Sequence, residues 1–123
     1  MSRVNWFDVS AKDPDREMDF FKNTFGWTFE KWEGGDMDYW MITTGSEKEP
    51  GINGGLSKES EQAMEPVNTI GVMNVDQALQ KIKQNGGEVT AGKMTLPGVG
   101  YMAYFTDPEG NEFGIMQSDK NAK

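Results

Sequence analysis

Any chemistry done by this 123-residue chain must be done without imidazole or thiol, because it holds no histidine and no cysteine. A Ser-His-Asp triad, an imidazole base, thiolate ligands, iron–sulfur clusters and disulfides are all excluded. A metal site would have to be built from carboxylates, amides and carbonyls, a donor set that favours hard cations over zinc or copper. The glycine-rich stretch Gly51-Ile52-Asn53-Gly54-Gly55 lacks the lysine and the following helix of a phosphate-binding loop. Ser46-Glu47-Lys48-Glu49 and Ser57-Lys58-Glu59 read as solvated mixed-charge loops, and no Ser–Lys pair can be placed in space. With 20 acidic and 12 basic residues the net charge is −8, which repels nucleic acid and anionic membrane surfaces alike. The absence of cysteine fits a reducing compartment. No apolar run has the length of a signal peptide or of a membrane helix, so the expectation is a cytoplasmic protein.

The elements that must position any functional group follow from periodicity. Strands are predicted over residues 4–9, 27–32, 38–44, 52–56, 67–73, 88–91, 100–106 and 111–117. Asp13 caps a first helix that has Pro14 at its opening position, runs to residue 25 with Met18, Phe21 and Phe25 at helical spacing, and stops at Gly26. A second helix over 75–85 carries the apolar stripe Val75, Ala78, Leu79 and Ile82. Gly34-Gly35-Asp36 and Asp107-Pro108-Glu109-Gly110 read as turns. Residues 58–66 form the best linker candidate, and the polar tail 118–123 is expected to fray.

The order strand-helix-strand-strand-strand thus occurs twice, and the two halves also match in sequence. Asp15–Lys22 slides onto Asp76–Lys83, Gly26 onto Gly87, Tyr39 onto Tyr101, Thr44 onto Thr106 and Gly54 onto Gly114, all at a nearly constant offset of about 60 residues. Such a duplication predicts a pseudo-twofold pair of four-stranded antiparallel sheets with helices outside and a groove between the repeats suited to a ligand.

The motifs Asp13-Pro14-Asp15-Arg16, Phe20-Phe21, Phe25-Gly26-Trp27, Val75-Asp76, Ala78-Leu79, Gln84-Asn85-Gly86-Gly87 and Tyr104-Phe105-Thr106-Asp107-Pro108-Glu109-Gly110-Asn111 give the chain a clear likeness. Over residues 3 to 117 it resembles the vicinal oxygen chelate superfamily of glyoxalase I, bleomycin-resistance proteins and extradiol dioxygenases. The resemblance implies an α+β fold: a single domain, 1–123, of two tandem βαβββ modules (about 3–57 and 67–117) in a cupped mixed sheet with a central cleft. It also implies a homodimer. Metal-dependent members draw four ligands from strand positions that fall here on Trp6, Gly54, Val67 and Gly114, none of which offers a metal-binding side chain. One-residue slips reach only Asn5, Asn53 and Asn68. The chain therefore resembles the metal-free branch, and neither a metal nor another cofactor is expected.

The resemblance places Trp6 in the cleft, as a stacking platform or as a plug for the vacated metal cavity. Asp8 shares its strand face and is either a base or cation anchor with a raised pKa, or a hydrogen-bonded structural acid. Gly54 and Gly114 leave open space or mark close backbone approach. Carried-over positions and strand alternation together give Trp6, Asp8, Gly54, Val67, Thr69, Gly114 and Met116 as the substrate-binding candidates. Tyr39 and Trp40 are neighbours on one strand, so only one can face inward; Tyr101, Tyr104 and the nine methionines serve either as core or as an adaptable ligand wall. The functional expectation is metal-independent binding of a small molecule. The alternative is a lyase or isomerase related to lactoylglutathione lyase that uses a carboxylate such as Asp8 or an atypical metal site with Asp8 and Glu112.

Overall fold

The computed structural model describes residues 2–34, 38–58 and 65–123. The chain divides into two compact units: an N-terminal module, Trp6–Pro66, and a C-terminal module, Val67–Lys123 together with Met1–Asn5.

In the N-terminal module β1 (Arg3–Ala11) leads into α1 (Pro14–Phe25), followed by β2 (Thr28–Lys31), β3 (Tyr39–Thr43) and β4 (Asn53–Lys58). The strand order is β2-β3-β4-β1. The hairpin pairs are antiparallel, whereas β1 and β4 are parallel. This corrects the expected all-antiparallel sheet. Helix α1 returns the chain, two reversals follow, and β4 then runs in the direction of β1. The helix begins where the sequence predicts: the Asp13 carboxylate accepts the Arg16 N–H at 3.2 Å and Pro14 opens the first turn. It ends at Gly26, whose φ of 77° is the left-handed cap that glycine adopts without a Cβ penalty.

The helix-side core of this module is Ala11, Ile42 and Leu56, packed by Phe7, Val9, Met18, Trp27, Phe29 and Trp40. Phe21 stacks on Trp27 with ring centroids 4.7 Å apart. Phe20 and Phe25 do not join this core and stand 54% and 61% exposed. Of the predicted turn at 34–36, Gly35 and Asp36 lie outside the described residues, as do 59–64 of the predicted linker; Lys58 closes β4 instead of opening that linker.

The C-terminal module repeats the plan. β5 (Val67–Gly71), α2 (Val75–Gln84), β6 (Glu88–Leu96), β7 (Gly100–Thr106) and β8 (Glu112–Ser118) form a sheet of order β5-β8-β7-β6, with β5 and β8 parallel. The Asn74 side chain caps α2 by accepting the Gln77 N–H at 2.9 Å. The stripe Val75, Ala78, Leu79 and Ile82 packs on Ala103, Ile115, Ile70 and Phe105. Asp107 ties the following turn by accepting the backbone N–H groups of Glu109 and Asn111 and the Asn111 side-chain amide, and the Asn111 side chain is the chief group holding its carboxyl below the ordinary aspartate range.

Two expectations fail in this module. β6 runs on past Gly92 to Leu96 through two register irregularities rather than stopping at residue 91. The tail is docked rather than frayed: Gly98 donates to the Ala122 carbonyl at 2.8 Å, Asp119 donates to Val99 at 2.9 Å, and Ala122 is buried.

Candidate functional site

Strand alternation gives β1 two unlike faces. Phe7 and Val9 enter the helix-side core, so Trp6 and Asp8 point to the face that α1 does not cover. On β3 the same rule separates the neighbouring aromatics. Trp40 packs in the helix-side core, with the Lys31 ammonium 4.9 Å from its ring centroid, and Tyr39 takes the opposite face.

There the three side chains close a triangle. The Tyr39 phenol donates to Asp8 Oδ1 at 2.6 Å. The Trp6 indole N–H donates to the same Oδ1 at 3.3 Å and to the Tyr39 oxygen at 3.2 Å. Tyr39 comes from β3 and Asp8 from β1, with β4 lying between them. The phenol can cross β4 only because Gly55, the register partner of Asp8, has no side chain. A Cβ at Gly55 would fall on the Tyr39 hydroxyl and 2.8 Å from Asp8 Oδ1. All three side chains are half-buried. Burial pushes the Asp8 carboxyl above the ordinary aspartate range and outweighs the bonds from Tyr39 and Trp6, which act in the opposite direction. The result is a carboxyl group of raised pKa, oriented by two donors and beside an aromatic ring.

Gly54 stands apart from this cluster. It lies on the helix side, where a Cβ would meet the Phe7 carbonyl and sit 2.7 Å from the Phe7 ring. The register partner of Thr69 is Gly114, just as that of Asp8 is Gly55, so Gly55 and not Gly54 is the counterpart of Gly114. In the C-terminal module, Val67 and Thr69 are buried and Gly114 lies against Thr69, Met102 and Tyr104. Met116 pairs with Met102 and is half-buried. The Thr69 hydroxyl, 2% exposed, has no hydrogen-bond partner among the described residues. Of the residues in this cluster, the sequence left Tyr39 open against Trp40 and did not single out Gly55. Gly55 could have been found by pairing β4 against Asp8 instead of sliding one repeat along the other.

The residues at the family's metal positions do not fit a metal. In the N-terminal module Trp6 offers only an N–H, already donated to Asp8 and Tyr39, and neither Gly54 nor Gly55 has a donor atom in a side chain. In the C-terminal module Val67 and Gly114 offer none. Asn53 is engaged by the Thr44 N–H at 2.9 Å, and among the described residues no three carboxylates gather at one point.

The family model for the Glyoxalase/Bleomycin resistance protein/Dioxygenase superfamily matches residues 3–115. The chain belongs to this superfamily. Among curated relatives, a Mycobacterium tuberculosis (strain CDC 1551 / Oshkosh) protein named "Putative glyoxylase CFP32" is 29% identical over 121 residues, covering 95% of this chain and 46% of the relative. The chain thus spans about half the length of the curated relatives it matches. Solved structures with the same fold include BH1468 of Bacillus halodurans C-125, with a TM-score of 0.73 at 11% identity, covering 99% of this chain and 98% of that one. They also include a Streptomyces coelicolor methylmalonyl-CoA epimerase in complex with 2-nitronate-propionyl-CoA, with a TM-score of 0.70 at 15% identity, covering 98% and 97%. Superfamily membership accounts for the doubled βαβββ plan. Among the described residues no helix is long and apolar enough to cross a membrane.

Proposed function

We propose that this superfamily member is a metal-independent small-molecule-binding protein of the glyoxalase/bleomycin-resistance type. Its ligand is received on the uncovered sheet face of the N-terminal module. The observation that carries this reading is the Trp6–Asp8–Tyr39 triangle, a polar and aromatic cluster that Gly55 makes room for on a face where a core would be apolar. Trp6 supplies a flat apolar surface and Asp8 the group that fixes orientation. The reading also takes in Val67, Thr69, Gly114 and Met116 on the equivalent, largely apolar face of the C-terminal module, where Met116 is half-buried and the other three are buried. The reading extends to a homodimer in the cytoplasm, and sedimentation equilibrium tests the dimer.

Tag-free protein is titrated with a fragment library while the Trp6 indole N–H is followed by NMR and metal content is measured. Binding that shifts Trp6, is lost in Trp6→Ala and needs no metal supports the reading. A stoichiometric metal that raises the melting temperature, or ligands that leave Trp6 unmoved, overturns it.

A second reading draws on the 2.6 Å Tyr39–Asp8 bond. An oriented carboxylate of raised pKa suits removal of a proton from carbon, with Tyr39 holding the base in place. The chain would then be a lyase or isomerase like the epimerases that share its fold. Solvent deuterium entering a carbonyl substrate in the wild type, but not in Asp8→Asn, would favour it.

A further inference from the structure

The molecule uses one device twice. In the N-terminal module the Lys31 ammonium lies 3.0 Å from the Asp38 carboxylate and 4.9 Å from the centroid of the Trp40 ring. In the C-terminal module Lys93 lies 3.1 Å from Asp76 and 4.6 Å from the Tyr101 ring. Each is a carboxylate and an aromatic ring holding a cationic nitrogen between them. The Trp6–Asp8–Tyr39 face has the carboxylate and the rings but no lysine. Among the described residues the ion pairs are the two just given, and Asp8 is in neither. Residues 35–37 and 59–64 contain no lysine or arginine that could serve it.

The hydrogen bonds point the same way. Both donors converge on Asp8 Oδ1, and among the described residues none reaches Oδ2. A carboxylate accepts through both oxygens, so Oδ2 keeps its capacity for an incoming donor. The nearest groups direct their protons elsewhere: Gly55 has no side chain, and Tyr39 and Trp6 donate to Oδ1. A half-buried carboxyl without a cation costs free energy that a positively charged partner recovers. The chain's charge of −8 favours the approach of such a partner.

We infer that the ligand of this face carries a cationic nitrogen, an ammonium or amidinium group, that pairs with Asp8 Oδ2 beside the Trp6 ring. This rests on the reading of the face as a binding site and names the class of ligand it takes. Asp8 does here with a ligand what Asp38 and Asp76 do with Lys31 and Lys93.

Three probes of one shape test it: benzylammonium, benzyl alcohol and benzoate, each titrated into tag-free protein while the Trp6 indole N–H is followed, with that resonance assigned by Trp6→Phe. Benzylammonium is expected to bind about ten-fold or more tighter than benzyl alcohol. Its affinity should fall as salt is raised, whereas that of the alcohol should not. Asp8→Asn, similar in shape, should erase the preference for benzylammonium over the alcohol. If benzyl alcohol or benzoate shifts Trp6 as strongly as benzylammonium does, the face binds small molecules but the cation is wrong. If none of the three moves Trp6, the binding face itself is wrong and the inference falls with it. The salt arm uses the wild-type protein alone, so the test stands even if Asp8→Asn fails to fold.

Discussion

The two modules share a helix-covered side and differ on the other. By strand register Leu56 and Ile115 occupy equivalent places, both with less than a twentieth of their surface exposed, and each anchors a core roofed by its module's helix. On the face away from the helix the same register makes Trp6 the counterpart of Val67, Asp8 of Thr69, Tyr39 of Met102 and Gly55 of Gly114. An aromatic, acidic, hydrogen-bonded triangle in one module corresponds to an apolar patch in the other with one hydroxyl that has no partner among the described residues. Both modules thus share what folding requires, a stripe of apolar side chains under a helix. They differ on the other face, and it is there that the N-terminal module holds a polar group in place at a cost in burial.

The largest expected effects test the shared side. Leu56→Ala and Ile115→Ala each remove a fully packed side chain and should each cost about 2–5 kcal/mol, with similar losses in the two modules. Chemical denaturation of both variants measures this, and a loss in one module only would break the equivalence. Next come the paired glycines, which separate the faces. Gly55→Ala drives a methyl into the Tyr39 phenol and Asp8 and should cost about 1–3 kcal/mol. Gly114→Ala meets Thr69 Oγ1 at 2.9 Å, but also the mobile Met102 methyl at 3.3 Å, and should cost less. Tyr39→Phe in the Gly55→Ala background should recover part of the loss, because it removes the colliding hydroxyl; no recovery would mean that the phenol does not occupy that space.

What the sequence revealed follows the range of the forces involved. The caps at Asp13 and Gly26, the turn at Asp107–Gly110 and the α2 stripe depend on neighbours a few residues away, and all lie where the sequence places them. Features that depend on distant partners were not legible. β6 continues past Gly92 because β7 offers it a partner as far as Gly100, and Ala122 is buried because Gly98 holds its carbonyl. The site suffered most from a one-residue ambiguity. A shift of one position in a strand moves a side chain to the opposite face, so sliding the repeats along each other selected Gly54 where pairing with Asp8 selects Gly55. Tyr39 and Trp40 are equally aromatic and adjacent. Only the packing of Trp40 under α1 shows that Tyr39 is the one beside Asp8.

The smallest effects sharpen the contrast between Asp8 and Thr69. Thr69→Val replaces a buried hydroxyl that has no partner among the described residues with a methyl of the same shape, and it should stabilise the fold by about 1 kcal/mol at every pH. Asp8→Asn should also stabilise, but only where Asp8 is ionised. Burial raises its folded pKa above the unfolded one, so the folded state holds its proton more tightly. The stability this confers is complete below the unfolded pKa and is lost as pH rises through the folded value. The gain from Asp8→Asn is therefore absent in acid, grows through that window and levels off above it. Melting temperatures of both variants from pH 3 to pH 8 distinguish the two cases: a flat difference for Thr69→Val and a rising one for Asp8→Asn. A flat difference at Asp8 would mean that burial does not hold back its ionisation, and the group would then be an ordinary surface acid with no call for a cationic partner.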